Sequence, residues 1–223
     1  EVVTFIDTRA AHGVTNTSPD DLDFSDVTGE LFVTNDLWAN GPQAGSGISG
    51  YLDLNGDGDA MDAGEMVQLV DALGTITLQE PAGPVDIDIG DFESIMVDSA
   101  GVVISFAQQD LALYAFQDQN GDGDAMDAGE AWNFCNLVGD KVNLELNADV
   151  AAGALYSPSC PSNQSSGLYA TLEILDVDHN ADASGKDIYW IVSTASANSC
   201  AGANGLIYRG VDVNGDQDLN DAG

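Results

Sequence analysis

Residues 111–137 read LALYAFQDQNGDGDAMDAGEAWNFCNL. Two short apolar segments, 111–117 and 131–137, flank a run of acidic and glycine residues at 118–130. Each is read as an alternating apolar segment of strand length, the period-two pattern that indicates a strand. The run between them is too rich in Gly, Asn and Asp to continue a strand, so it is a loop. The same loop stands at 53–65 as DLNGDGDAMDAGE, different at one position, and again at 212–223 as DVNGDQDLNDAG. Chance does not produce such copies, and a repeat architecture follows.

Working outward, each loop is preceded by an alternating segment (48–54, 111–117 and 206–213), and each complete loop is followed by another (66–70 and 131–137). Two more strands lie upstream in each unit: 21–25 and 30–35, 93–98 and 102–107, 171–176 and 187–193. Gly29, Gly101 and Gly185 stand in the turns between them. No segment has helical length and period. The expectation is an all-β chain built as a single repeat domain over 1–223. Its units span 18–71, 86–138 and 168–223, with an insertion at 139–167. Each unit is a four-stranded antiparallel meander with the acidic loop between its third and fourth strands. Such units are the blades of β-propellers, and a β-sandwich is the alternative.

The loop carries its own chemistry. A hard divalent cation takes six to eight oxygens, and Ca²⁺ tolerates irregular geometry. Positions 1, 3 and 5 supply oxygens that can converge: Asp53, Asn55 and Asp57; Asp118, Asn120 and Asp122; Asp212, Asn214 and Asp216. Gly58 and Gly123 at position 6 permit the sharp turn. Position 7 offers a backbone carbonyl from Asp59, Asp124 or Asp218, and Asp62 with Glu65, Asp127 with Glu130, and Asp221 close the shell. So many carboxylates in one loop repel unless a cation offsets them. Mg²⁺ demands a stricter octahedron, and Zn²⁺ asks for Cys or His, which the loops lack. About three Ca²⁺ per chain are expected.

These loops resemble the calcium loops of EF-hands, dockerins and thrombospondin type 3 repeats. They depart from the EF-hand pattern in placing the last Glu at position 13 and an extra acid at position 10, and their flanks read as strands. With its meanders, the chain is similar to secreted bacterial propellers whose blades end in an Asn-Gly-Asp-Gly-Asp loop. That resemblance implies a propeller-like fold and an extracellular or cell-surface location.

Copies one and two run from Ala-Gly into Glu and then a strand, while residues 1–8 read EVVTFIDT. Joined to residue 223, they supply the Glu (Glu1) and the fourth strand that unit three needs. That strand is expected to complete unit three in its own chain, in a neighbouring copy, or as part of a longer repetitive protein. Three blades are few for a closed ring, so assembly with further copies is expected, through the strand exchange that satisfies open sheet edges.

Charge narrows the partners. The chain has 38 acidic and 4 basic residues, a formal net charge of −34. Phosphate backbones and anionic bilayers are bound through Lys and Arg, so nucleic acid and membrane surfaces are excluded as partners, and no apolar run reaches spanning length. Of the three cysteines, Cys160 and Cys200 fall in loops expected on one face of unit three and are expected to pair, leaving Cys135 buried. Asn16 and Asn163 stand in N-glycosylation sequons. Asp176, Asp178, Asn180 and Asp182, around His179, read as a degenerate acidic loop and a weaker cation site.

No nucleophile elbow, HExxH or phosphate loop occurs, so no catalytic residue is nominated. The expected role is a calcium-binding structural or adhesive protein of a filament, surface layer or matrix. The alternatives are a calcium-dependent propeller hydrolase or lyase, and a carbohydrate-binding module stacking a glycan on Trp38.

Overall fold

The structure is a computed structural model, and it describes residues 4–13, 18–36, 46–80, 82–89, 92–107, 112–136, 172–181, 187–195, 206–212 and 215–219. Among the described residues it is all-β apart from one short helix, α1 (Thr8–His12). Asp7 caps α1, accepting from the N–H groups of Arg9 and Ala10, and Gly13 closes it in the left-handed conformation.

The first sheet is the antiparallel meander β1 (Ser18–Phe24), β2 (Leu31–Asp36), β3 (Gly47–Tyr51) and β4 (Met66–Asp71), in that spatial order. Residues 53–65 join β3 to β4. A hairpin follows, β5 (Ile76–Gln79) and β6 (Val85–Ile87). The second meander is β7 (Phe92–Val97), β8 (Val103–Ala107), β9 (Ala112–Phe116) and β10 (Ala131–Asn136), with 118–130 joining β9 to β10. The hairpin extends this sheet, since β5 pairs parallel with β10, giving the order β6-β5-β10-β9-β8-β7. The third sheet is β11 (Leu172–Ala181), β12 (Asp187–Ala195) and β13 (Leu206–Val211). No closed ring or barrel is formed among the described residues, and β13 ladders with β12 alone.

The strands form where period-two alternation meets β-branched and aromatic residues. β8 and β9 are buried along their whole length, as strands covered on both faces must be. The hairpin β5–β6 has no counterpart in the strand pattern read from the sequence. Its strands are short, and β5 is held by a neighbour far away in the chain.

One apolar core runs from the first sheet into the second. It holds Ile48, Leu69 and Val70, then Ile76 of the hairpin, then Ile95, Val103 and Phe116. Phe92 and Phe116 meet edge to face within it. A smaller cluster joins Val33, Tyr51 and Ala60 to Phe5 and Ile6. Residues 4–7 thus lie against the first unit, without a ladder partner among the described residues.

β1 inverts the usual pattern. Its apolar side chains Leu22 and Phe24 are exposed, 61% and 53%. Asp21 and Asp23 turn inward instead: Asp21 Oδ2 accepts from Ile95 N–H at 3.0 Å and Asp23 Oδ2 from Val97 N–H at 2.7 Å. The two carboxylates satisfy donors on the outer strand of the second sheet, which would otherwise stand open to pairing.

Candidate metal-binding loops

The three acidic loops share one local construction. The position-1 carboxylate closes the turn with both oxygens: Asp53 accepts from Gly56 N–H at 2.6 Å and Gly58 N–H at 3.0 Å. Asp118 does the same with Gly121 and Gly123 at 2.6 and 3.0 Å, and Asp212 with Gly215 and Gln217 at 2.6 and 3.0 Å. These turns require left-handed backbone at position 6. Gly58 and Gly123 adopt it at no side-chain cost, with φ 99° and 100°, whereas Gln217 is held there at φ 68°.

Positions 3, 5 and 10 converge. Asn55 Nδ2 donates to Asp57 Oδ2 at 3.2 Å and to Asp62 Oδ2 at 2.7 Å. Asn120 Nδ2 reaches Asp122 Oδ2 at 3.1 Å and Asp127 Oδ2 at 3.3 Å. An amide carries two donors, so it draws together two carboxylates that would otherwise repel.

The position-13 glutamates are buried, Glu65 and Glu130 each 3% exposed. Glu65 accepts from Leu54 N–H at 3.0 Å through Oε1 and from Asp62 N–H at 2.9 Å through Oε2. Glu130 Oε1 accepts from Gln119 and Asn120 N–H at 3.1 and 3.0 Å. Its Oε2 is buried with no hydrogen-bond partner. An unpartnered buried carboxylate oxygen is costly unless something positive meets it. Among the described residues, Asp122, Asp124 and Glu130 are the one group of three acidic, His or Cys side chains whose ligand atoms all lie within 4.8 Å of one another. An all-oxygen set of this kind suits a hard cation.

This arrangement refines the ligand pattern expected from sequence. Position 7 was expected to act through its carbonyl, yet the Asp124 side chain joins the cluster. Asn214, Asp221 and Glu1 lie outside the described residues, as do Asp182, Trp38, Asn16, Asn163, Cys160 and Cys200. The degenerate loop read around His179 is instead the far end of β11, laddered on β12 with Asp178 opposite Trp190. An extended backbone advances about 3.3 Å per residue and does not curl Asp176, Asp178 and Asn180 about one point.

Each loop also touches the unit before it. Position 8 donates its N–H to a carbonyl in that unit's fourth-strand segment: Ala125 to Leu69 at 2.8 Å and Leu219 to Phe134 at 2.7 Å. Ala60 makes the equivalent bond to Phe5 at 2.9 Å. Leu69, Phe134 and Phe5 each stand four residues after a Glu in the repeat pattern. Residues 4–7 therefore meet the first loop as β4 meets the second and β10 the third. Trp132 Nε1 adds a bond to the Gln217 carbonyl at 2.8 Å. The period-two pattern could not reveal these bonds, which join backbone groups of separate units.

A second polar cluster sits beside the first loop. His12 Nε2 lies 3.1 Å from the Tyr51 hydroxyl and 3.2 Å from Ser49 Oγ. Burial holds the His12 imidazole below its ordinary pKa, with Asp71 pulling weakly the other way. Ser49 is fully buried, so the cluster fastens α1 to β3 and offers no accessible nucleophile. Cys135 is a free, fully buried thiol whose pKa burial pushes up to about 12.

No helix among the described residues is long and apolar enough to cross a membrane. No protein-family model matches the chain, and no curated protein or solved structure matches it.

Proposed function

We propose that the chain is a calcium-binding extracellular structural or adhesive protein. Its repeated, propeller-like units bind about three Ca²⁺ per chain and assemble with further copies into a filament, surface layer or matrix. The observation that carries this reading is the Asp122–Asp124–Glu130 cluster, with the buried Glu130 Oε2 lacking a protein partner. The repetition of the loop in the sequence extends the reading to the other two copies. A cation bound only by the folded state adds directly to stability, about 2.7 kcal/mol per site at a hundredfold excess over Kd. The fit of residues 4–7 against the first loop, matching β4 against the second, supports assembly by the same contact between copies.

The test is calorimetric titration with Ca²⁺, paired with particle mass in solution in millimolar Ca²⁺ and after chelation. Saturable binding near three ions per chain, and a larger particle in Ca²⁺, are expected. Absence of binding overturns the calcium reading. Binding by a particle that stays monomeric throughout overturns the assembly.

A further inference from the structure

We infer that the ion in the second loop acts as a lock between the first and second units, so that calcium controls the joint as well as the loop. This inference rests on the calcium reading above. Its basis is where the joint contacts fall within the second loop. Asp124 and Glu130 both belong to the acidic cluster, and the stretch between them makes contacts with the first unit and with the hairpin that joins it to the second. Ala125 N–H donates to Leu69 O at 2.8 Å, and Met126 O accepts from Thr77 N–H at 2.9 Å. Met126 Sδ accepts from Asp71 N–H at 3.4 Å. Ala125 is fully buried. Met126 also presses on the turn after β4, where its Cε leaves no room for a side chain at Gly74.

A short segment tied at both ends to one ion has little freedom in its middle. Without the ion, three carboxylates within 4.8 Å repel, and that repulsion acts on both ends of the segment. The joint bonds are then the first to loosen, while the apolar core shared by the two sheets keeps the fold. The matching bonds from Ala60 to Phe5 and from Leu219 to Phe134 show that the first and third loops make the same backbone contact. By reciprocity, whatever seats a preceding unit on a loop raises that loop's affinity for calcium. A contact of this kind between copies would therefore be calcium-dependent.

The experiment is amide hydrogen exchange by NMR on the whole chain, with calorimetry on the same sample, in Ca²⁺ and after chelation. Ala125 and Thr77 report the joint, and Ile104 and Ala115 in the β8–β9 ladder report the core. The expected result is exchange at least tenfold slower at Ala125 and Thr77 in Ca²⁺, with less than twofold change at Ile104 and Ala115. Calcium binding with no change at the joint amides overturns the lock and leaves the calcium site standing. Equal slowing at all four amides also overturns it, because the effect is then global stabilisation. No binding in the calorimeter removes the calcium reading, and the lock with it.

Discussion

Replacing Glu130 by Gln separates the cost of the acidic cluster from its use. The wild-type carboxylate lies within 4.8 Å of ligand atoms on Asp122 and Asp124. Two like-charge pairs at that distance cost about 1.7 kcal/mol even at the dielectric of water, and more where solvent is partly excluded. Glutamine keeps an oxygen to accept from Gln119 and Asn120 N–H. Those two bonds lose charge assistance, on the order of 1 kcal/mol in all. The new amide places donors where Oε2 has no partner, recovering about as much. The net expectation is a chelated variant about 1–2 kcal/mol more stable than wild type. In calcium an opposing effect enters, because a ligand charge is gone. Affinity at the second loop falls roughly ten- to a hundredfold. The calcium-dependent gain in stability therefore shrinks by about 1.4–2.7 kcal/mol. Urea unfolding of both proteins, with chelator and with calcium, reads all four values. A variant destabilised in chelator would refute the repulsion argument and leave Glu130 as a turn-closing acceptor. An unchanged calcium increment would remove it from the metal site.

Position 6 of the third loop gives a test of backbone strain: Gln217→Gly relieves a left-handed glutamine at φ 68° and is expected to raise stability by about 0.5–1 kcal/mol. Gly123→Ala is expected to lower it by about 1–2 kcal/mol, both read from urea midpoints. The Asp21 carboxyl is raised above its ordinary 3.8, chiefly by burial and against the Ile95 N–H bond. The fold binds that proton more readily than the unfolded chain, so the carboxyl opposes folding at neutral pH and ceases to as pH falls through its raised pKa to below 3.8. Asp21→Asn, which can still accept from Ile95, should be more stable than wild type at pH 7, and thermal melts should show the gap closing by pH 3. His12 has the opposite dependence. Its folded pKa lies below 6.5, so the stability of its neutral form is present above 6.5 and lost as pH falls through the folded value. Amide protection in α1, taken relative to the intrinsic exchange rate at each pH, should fall on that acid limb in wild type and show no such step in His12→Gln.

The sequence by itself determined the repeat, the meander and the turn chemistry of the loops. Short apolar segments bounded by turn residues located the strands of the first two units, from β1–β4 to β7–β10, to within a few residues, although β3, β8 and β9 are buried on both faces. Asp, Asn and Gly at fixed offsets specify a turn locally, because the bonds from Asp118 to Gly121 and Gly123 span only a few residues. What required the tertiary structure is what lies far apart in the chain. The hairpin β5–β6 exists because β10 offers it an edge. Asp21 and Asp23 of β1 turn inward because open N–H groups of β7 face them. The stretch around His179, acidic enough to read as a loop, is drawn into strand by the ladder of β12. Above all, the Ala125–Leu69 bond and its two counterparts join backbone groups that carry no side-chain signature. A loop's composition states which ligand oxygens it offers. Only packing decides which oxygen is left buried without a partner, and which neighbouring unit the loop holds.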